Sequence, residues 1–101
     1  MTDDQLARLE ARVHGQVQGV GFRYFIVRRA GRLALTGWVA NEVDGSVRCV
    51  AEGPTEALDE LLAILRRGPG GARVDRVDIS RGAATGAFEG FRVRAAGHRG
   101  D

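Results

Sequence analysis

With 101 residues, the chain has the length of one domain able to bury roughly 60–65% of its unfolded surface, enough for an independent core. No apolar run approaches the ~18 residues of a membrane span, and the start, Met1-Thr2-Asp3-Asp4-Gln5, is acidic and lacks the apolar stretch of a secretory signal. The formal net charge is only +2, and a single cysteine, Cys49, cannot close an internal disulfide, so no membrane or nucleic-acid partner is expected and the default setting is a cytoplasmic monomer.

Residues 1–7 read as a frayed lead-in and 96–101 as a flexible tail, leaving one domain over 8–95. Leu9, Ala11 and Val13 alternate with Glu10, Arg12 and His14, which predicts a first strand over Arg8–Gln16. Val17–Gly21 is a loop. Phe22, Phe25, Ile26, Ala30 and Leu33 then fall on one face of a helix over Phe22–Leu33, whose exit is loosened by Gly31 and by Thr36-Gly37.

Leu35–Asn41 reads as a second strand, Asp44-Gly45 as a tight turn, and Ser46–Glu52 as the returning third strand. Val47, Cys49 and Ala51 share one face of that strand, which makes Cys49 a small core residue. Gly53-Pro54 opens a second helix with Ala57, Leu58, Leu61, Leu62 and Leu65 as its buried stripe, and Gly68-Pro69-Gly70-Gly71 stops it. A fourth strand spans Arg73–Arg81, and the change of phase between Val74 and Val77 predicts a bulge. After a small-residue loop from Gly82 to Gly86, Phe88–Ala95 supplies a last short strand with Phe91 and Val93 inward. The order β-α-β-β-α-β, with one strand more, predicts an α+β fold of the ferredoxin-like split βαβ type: an antiparallel sheet with both helices on one face.

The chemistry concentrates in Gly15-Gln16-Val17-Gln18-Gly19-Val20-Gly21-Phe22-Arg23, where a strand passes through three glycines into a helix and an Arg sits in the first turn. Glycines let successive backbone N–H groups converge on an anion, and the helix start adds unpaired N–H groups and the positive end of its dipole. Arg23 opposes that dipole, so on stability grounds an acid is preferred in its place; a guanidinium there points to a phosphate-sized anion. Backbone N–H groups of Gln18, Gly19, Val20, Gly21 and Phe22 are the candidate cradle. A Walker loop is excluded because the chain has no Lys, and a dinucleotide fingerprint because Tyr24 stands where its third glycine belongs.

Asn41, at the end of the second strand, offers an amide donor and a carbonyl acceptor that can aim a water molecule; taken alone it reads equally as a strand-end Asn. His14 and His98 lie far apart in sequence with no acid or Cys at ligand spacing, so no metal or other cofactor is expected. No Ser occupies a nucleophile elbow. A reaction that needs neither acid, base nor metal fits these absences. Hydrolysis of an acyl phosphate is one, because its carboxylate leaving group (conjugate-acid pKa near ~4) departs without a proton.

The loop motif, followed by Gly37-Trp38-Val39-Ala40-Asn41 and Asp44-Gly45-Ser46-Val47, resembles the acylphosphatase family over about residues 8–95. The Ala-Glu-Gly-Pro segment at 51–54 also fits that family. The resemblance implies a ferredoxin-like fold and metal-free hydrolysis of acyl phosphates to a carboxylate and inorganic phosphate. It implies that Arg23 binds the phosphate, that Asn41 orients the attacking water, and that the loop amides from Gln18 to Phe22 hold the phosphoryl oxygens.

Two other readings are open to the same pattern. Ferredoxin-like sheets bind RNA when aromatics stud the outer face, but the outward positions Arg12, His14, Trp38, Arg48 and Val50 include one aromatic, Trp38. An acylphosphatase-like accessory domain of a larger carbamoyl-transfer enzyme is normally fused to further segments, and a free-standing enzyme is the expectation here.

Overall fold

The computed structural model describes residues 6–95. Along the chain run β1 (Leu6–Gln16), α1 (Phe22–Arg32), β2 (Thr36–Asn41), β3 (Val47–Pro54), α2 (Thr55–Arg67), β4 (Arg73–Ala83) and β5 (Phe91–Val93). The sheet order is β4-β1-β3-β2-β5. The first four strands in that order pair antiparallel, and both helices pack on one face, as the ferredoxin-like reading requires. The fifth strand corrects the expected all-antiparallel sheet: β5 runs parallel to β2, with Gly37, Trp38 and Val39 opposite Phe91, Arg92 and Val93. Its direction follows from its place after β4, because the segment crosses the sheet and enters beside β2 from the same end as that strand.

Alternation decides which side chains meet the helices. Leu9, Ala11 and Val13 of β1 and Val47, Cys49 and Ala51 of β3 are at most 3% exposed, in one core with Phe22, Ile26 and Ala30 of α1 and Leu58, Leu61 and Leu65 of α2. Ile64 joins that core, whereas Ala57 of the predicted stripe is only partly buried. Burial also pushes the Cys49 thiol up to about 12, so at neutral pH it is an inert core group rather than a nucleophile.

Several boundaries differ from the sequence reading. β2 starts at Thr36 and β3 at Val47; β3 runs on through Gly53-Pro54, so α2 opens at Thr55, and β4 continues to Ala83, beyond the expected end at Arg81. β1 begins at Leu6 because Leu6 and Ala7 pair with Pro54 and Gly53, so the lead-in is shorter than residues 1–7; residues 1–5 and 96–101 lie outside the described residues. α1 ends in a Schellman turn, with Leu35 N–H donating to Ala30 C=O at 3.0 Å and Ala34 N–H to Gly31 C=O at 3.1 Å. Ala34 takes the left-handed position of that turn at φ 58°, where glycine is usual. Last, Phe88, Glu89 and Gly90, expected within the final strand, precede it instead, and β5 is confined to Phe91–Val93.

The predicted bulge is present. His14 pairs with Arg76 and Gly15 with Val74, leaving Asp75 as the extra residue of β4. On the outer face, Val50 has the outward orientation expected of it but is fully covered, lying in register between Glu10 and Trp38. Glu52, two residues on, is buried on the same face at 4% exposure. Residues 84–90 lie over this end of the sheet: Thr85 and Gly86 bond to Glu52, and the Arg8 guanidinium lies 5.5 Å from the Phe88 ring centroid.

Candidate active site

The loop between β1 and α1 is pinned at both ends by apolar anchors. Val17 is 1% exposed and Phe22 2%, with Val20 packed against the same core. Between these anchors Gly19 and Gly21 carry left-handed φ of 77° and 78°. At Gly21 a Cβ would meet no atom within 4 Å, so it is the dihedral, not lack of room, that requires glycine there. Gly21 is the N-cap of α1; no side chain caps the helix, and its first turn holds no acid. Among the described residues, the N-terminal amides of α1 therefore lack the side-chain acceptor that usually satisfies them. This is an anion-seeking helix start.

Arg23 is the second residue of α1, half-buried, and among the described residues no carboxylate pairs with it. Many of the other arginines are engaged: Arg8, Arg12, Arg48, Arg73, Arg76 and Arg81 with acids, Arg29 and Arg94 over aromatic rings.

Asn41 closes β2 directly opposite Val47, which in turn lies opposite Val13. Residues facing each other across a sheet point to the same side, so Asn41 shares the helix-side face with those two core valines. Its Oδ1 is the one buried side-chain polar atom without a partner among the described residues. A buried acceptor left unpaired costs roughly 1–3 kcal/mol.

The β2–β3 turn that follows is stiffly built. Asp44 Oδ1 accepts from Ser46 N–H at 2.9 Å and from the Ser46 hydroxyl at 2.6 Å, and these bonds hold its carboxyl below the ordinary carboxylate range. Glu42 N–H donates to Ser46 C=O at 2.9 Å and Gly45 N–H to Glu42 C=O at 3.1 Å. One side chain joins this turn to the loop between β1 and α1. Gln18 Nε2 donates to Glu42 C=O and to Ser46 C=O, each at 2.9 Å. The loop and the residue next to Asn41 are thereby tied together, an adjacency that the fold topology alone leaves loose. Sequence reasoning assigns Gln18 a role for its backbone N–H and misses its side chain.

His14 stays on the outer face, 3.0 Å from Asp78, as a structural strand residue. Among the described residues no three His, Cys, Asp or Glu side chains cluster as metal ligands would. No helix among them is long and apolar enough to cross a membrane.

The acylphosphatase family profile matches residues 9–93, which takes in the loop, the helix start and the β2–β3 turn. The chain belongs to the acylphosphatase family. It is similar to the acylphosphatase of Salinibacter ruber, with 60% identity over 87 residues that cover 86% of this chain and 92% of that protein. Among solved structures it resembles an acylphosphatase from Coxiella burnetii, at 35% identity and TM-score 0.84 over 93% of this chain and 100% of that one. The acylphosphatase from Bacillus subtilis superposes with the same TM-score at 33% identity, over 87% of this chain and 98% of that one. The protein is thus an enzyme of the acylphosphatase family, a hydrolase, in a family that acts on small acyl phosphates.

Proposed function

We propose that the protein hydrolyses the carboxyl–phosphate bond of acyl phosphates in a single step, without a metal, at the loop and turn described above. The observation that carries this reading is the unpartnered, buried Oδ1 of Asn41 beside a turn tied to an uncapped, glycine-built helix start. In this reading the backbone N–H groups of Gln18, Gly19, Val20, Gly21 and Phe22 cradle the phosphoryl oxygens. Arg23 neutralises charge on the equatorial oxygens, the arrangement that dominates phosphoryl transfer.

Asn41 accepts a hydrogen bond from a water through Oδ1 and holds it in line with the acyl oxygen. The water oxygen forms a bond to phosphorus while the phosphorus–acyl oxygen bond breaks, and its electron pair leaves on the carboxylate. That leaving group has a conjugate-acid pKa near ~4 and needs no general acid. The proton released by the water passes to a phosphate oxygen, so no protein base is required. Inorganic phosphate and a carboxylate are the products.

The test is turnover of benzoyl phosphate or acetyl phosphate by the purified protein with EDTA present. Undiminished hydrolysis is expected. Loss of activity on chelation, restored by a divalent cation, would overturn the metal-free mechanism, and no turnover under either condition would overturn the proposed activity.

A further inference from the structure

Gln18 makes the only side-chain bridge found among the described residues between the anion loop and the β2–β3 turn. Both acceptors are carbonyl oxygens, so the amide must present its NH2 to them, and its two hydrogens serve the two bonds. The acceptors stand at the two ends of the turn that follows Asn41. Each is already engaged inside the turn, Glu42 C=O by Gly45 N–H and Ser46 C=O by Glu42 N–H. Gln18 therefore adds a second bond to each carbonyl. Remove it and the turn keeps its own hydrogen bonds, the Asp44–Ser46 contacts included. What is lost is the attachment of the turn to the loop.

We propose that the Gln18 side chain is a positioning residue that fixes the distance between the phosphate cradle and the water held by Asn41. The inference rests on the mechanism proposed above. Cradle and water holder sit on different elements, α1 with its loop on one side and the end of β2 on the other, and in-line attack depends on their separation. Misplacement of reacting groups by about 1 Å costs on the order of 10²-fold in rate. The cradle itself, built from main-chain amides and Arg23, does not need the Gln18 side chain to bind an anion.

The test compares Gln18→Ala and Gln18→Glu with the wild type, at pH 7, on benzoyl phosphate and with inorganic phosphate as inhibitor. Gln18→Glu has the size and reach of the natural residue but no N–H to donate. The expected result is a fall in kcat of roughly 10- to 100-fold in both variants, with the phosphate inhibition constant little changed in Gln18→Ala, which adds no negative charge beside the anion. Wild-type kcat in Gln18→Glu would overturn the proposal, because the side chain would then act by bulk alone. In Gln18→Ala, a fall in kcat matched by an equal loss of phosphate affinity would overturn it too, since the loop itself would have collapsed.

Amide hydrogen exchange supplies a readout independent of turnover. The Glu42 and Gly45 amides are expected to exchange faster in Gln18→Ala while core amides keep their protection. Unchanged exchange at the turn would overturn the clamp. If the wild type turns over no acyl phosphate, the mechanism fails on that measurement, and the exchange experiment still decides whether Gln18 fastens the turn.

Discussion

Glu52, on the outer face of β3, accepts hydrogen bonds from the Thr85 hydroxyl at 2.7 Å and the Thr85 backbone N–H at 3.0 Å. Gly86 N–H at 2.9 Å and the Arg8 guanidinium at 3.2 Å complete its partners. This one carboxylate fastens the segment after β4 across the sheet to the strand that leads into α2. Burial raises the Glu52 pKa, but the bonds from Thr85, Gly86 and Arg8 together outweigh burial and leave it below the ordinary value.

Folding therefore favours the ionised form of Glu52. Its contribution is complete above the ordinary Glu pKa of about 4.3 and is lost as the pH falls through the lowered value in the fold. Urea midpoints are expected to fall below about pH 4, and Glu52→Gln is expected to flatten that fall. At pH 7 the variant should be less stable by roughly 1–3 kcal/mol, the cost of mispairing buried polar groups. Equal acid sensitivity in the two proteins would assign the effect to other carboxylates.

Arg23→Ala removes the one side-chain cation at the head of α1. A loss of about 10³–10⁵ in kcat is expected, together with the loss of inhibition by inorganic phosphate. Arg23→Lys should restore little, because an ammonium cannot donate the two parallel bonds of a guanidinium. Steady-state kinetics with and without phosphate read both effects, and retained phosphate inhibition in Arg23→Ala would place the anion elsewhere.

Asn41→Ala is expected to separate binding from chemistry. The cradle is untouched, so inhibition by phosphate should persist, while kcat falls on the order of 10²–10³-fold, as for loss of one positioned polar group. The truncation also deletes the unpaired acceptor, so the thermal midpoint should hold steady or rise. Full activity in this variant would remove Asn41 from the mechanism.

Ala34 offers a gain in stability away from the site. It is exposed and holds φ 58° in the Schellman turn after α1, a conformation that disfavours any residue with a Cβ by about 1–2 kcal/mol. Ala34→Gly relieves that cost but frees the unfolded chain, so a net gain of roughly 0.5–1 kcal/mol is expected in denaturant unfolding, with activity unchanged. A destabilised variant would show that the turn is not strained.

The sequence was most informative where a residue's neighbours in the chain dictate its environment. The alternation through Leu9, Ala11 and Val13 set the inner face of β1, and the Val74–Val77 phase change announced a bulge, which the strand register puts at Asp75. The glycines marked the turn between β1 and α1 for the same reason: its conformation is local, and φ near 78° at Gly21 is written into the residue type. Contacts between distant polar residues left no such trace. Gln18 reaches carbonyls 24 and 28 positions away, and Glu52 reaches an amide 33 positions away. Each of these side chains reads in the sequence as an ordinary solvated polar group. The direction of β5 was illegible too, because three residues carry no signal that separates parallel from antiparallel pairing.

The bulge in β4 bears on how the protein behaves at high concentration. β5 covers the flank of β2, but β4 is eleven residues long and, among the described residues, has no strand on its far side. Such a flank is a template on which further chains can add and grow into fibrils. Here it is bent at Asp75 and studded with the closed Arg73–Asp75 and Arg76–Asp78 pairs, which a docking chain would have to desolvate. The irregularity thus works as a guard against runaway growth of the sheet.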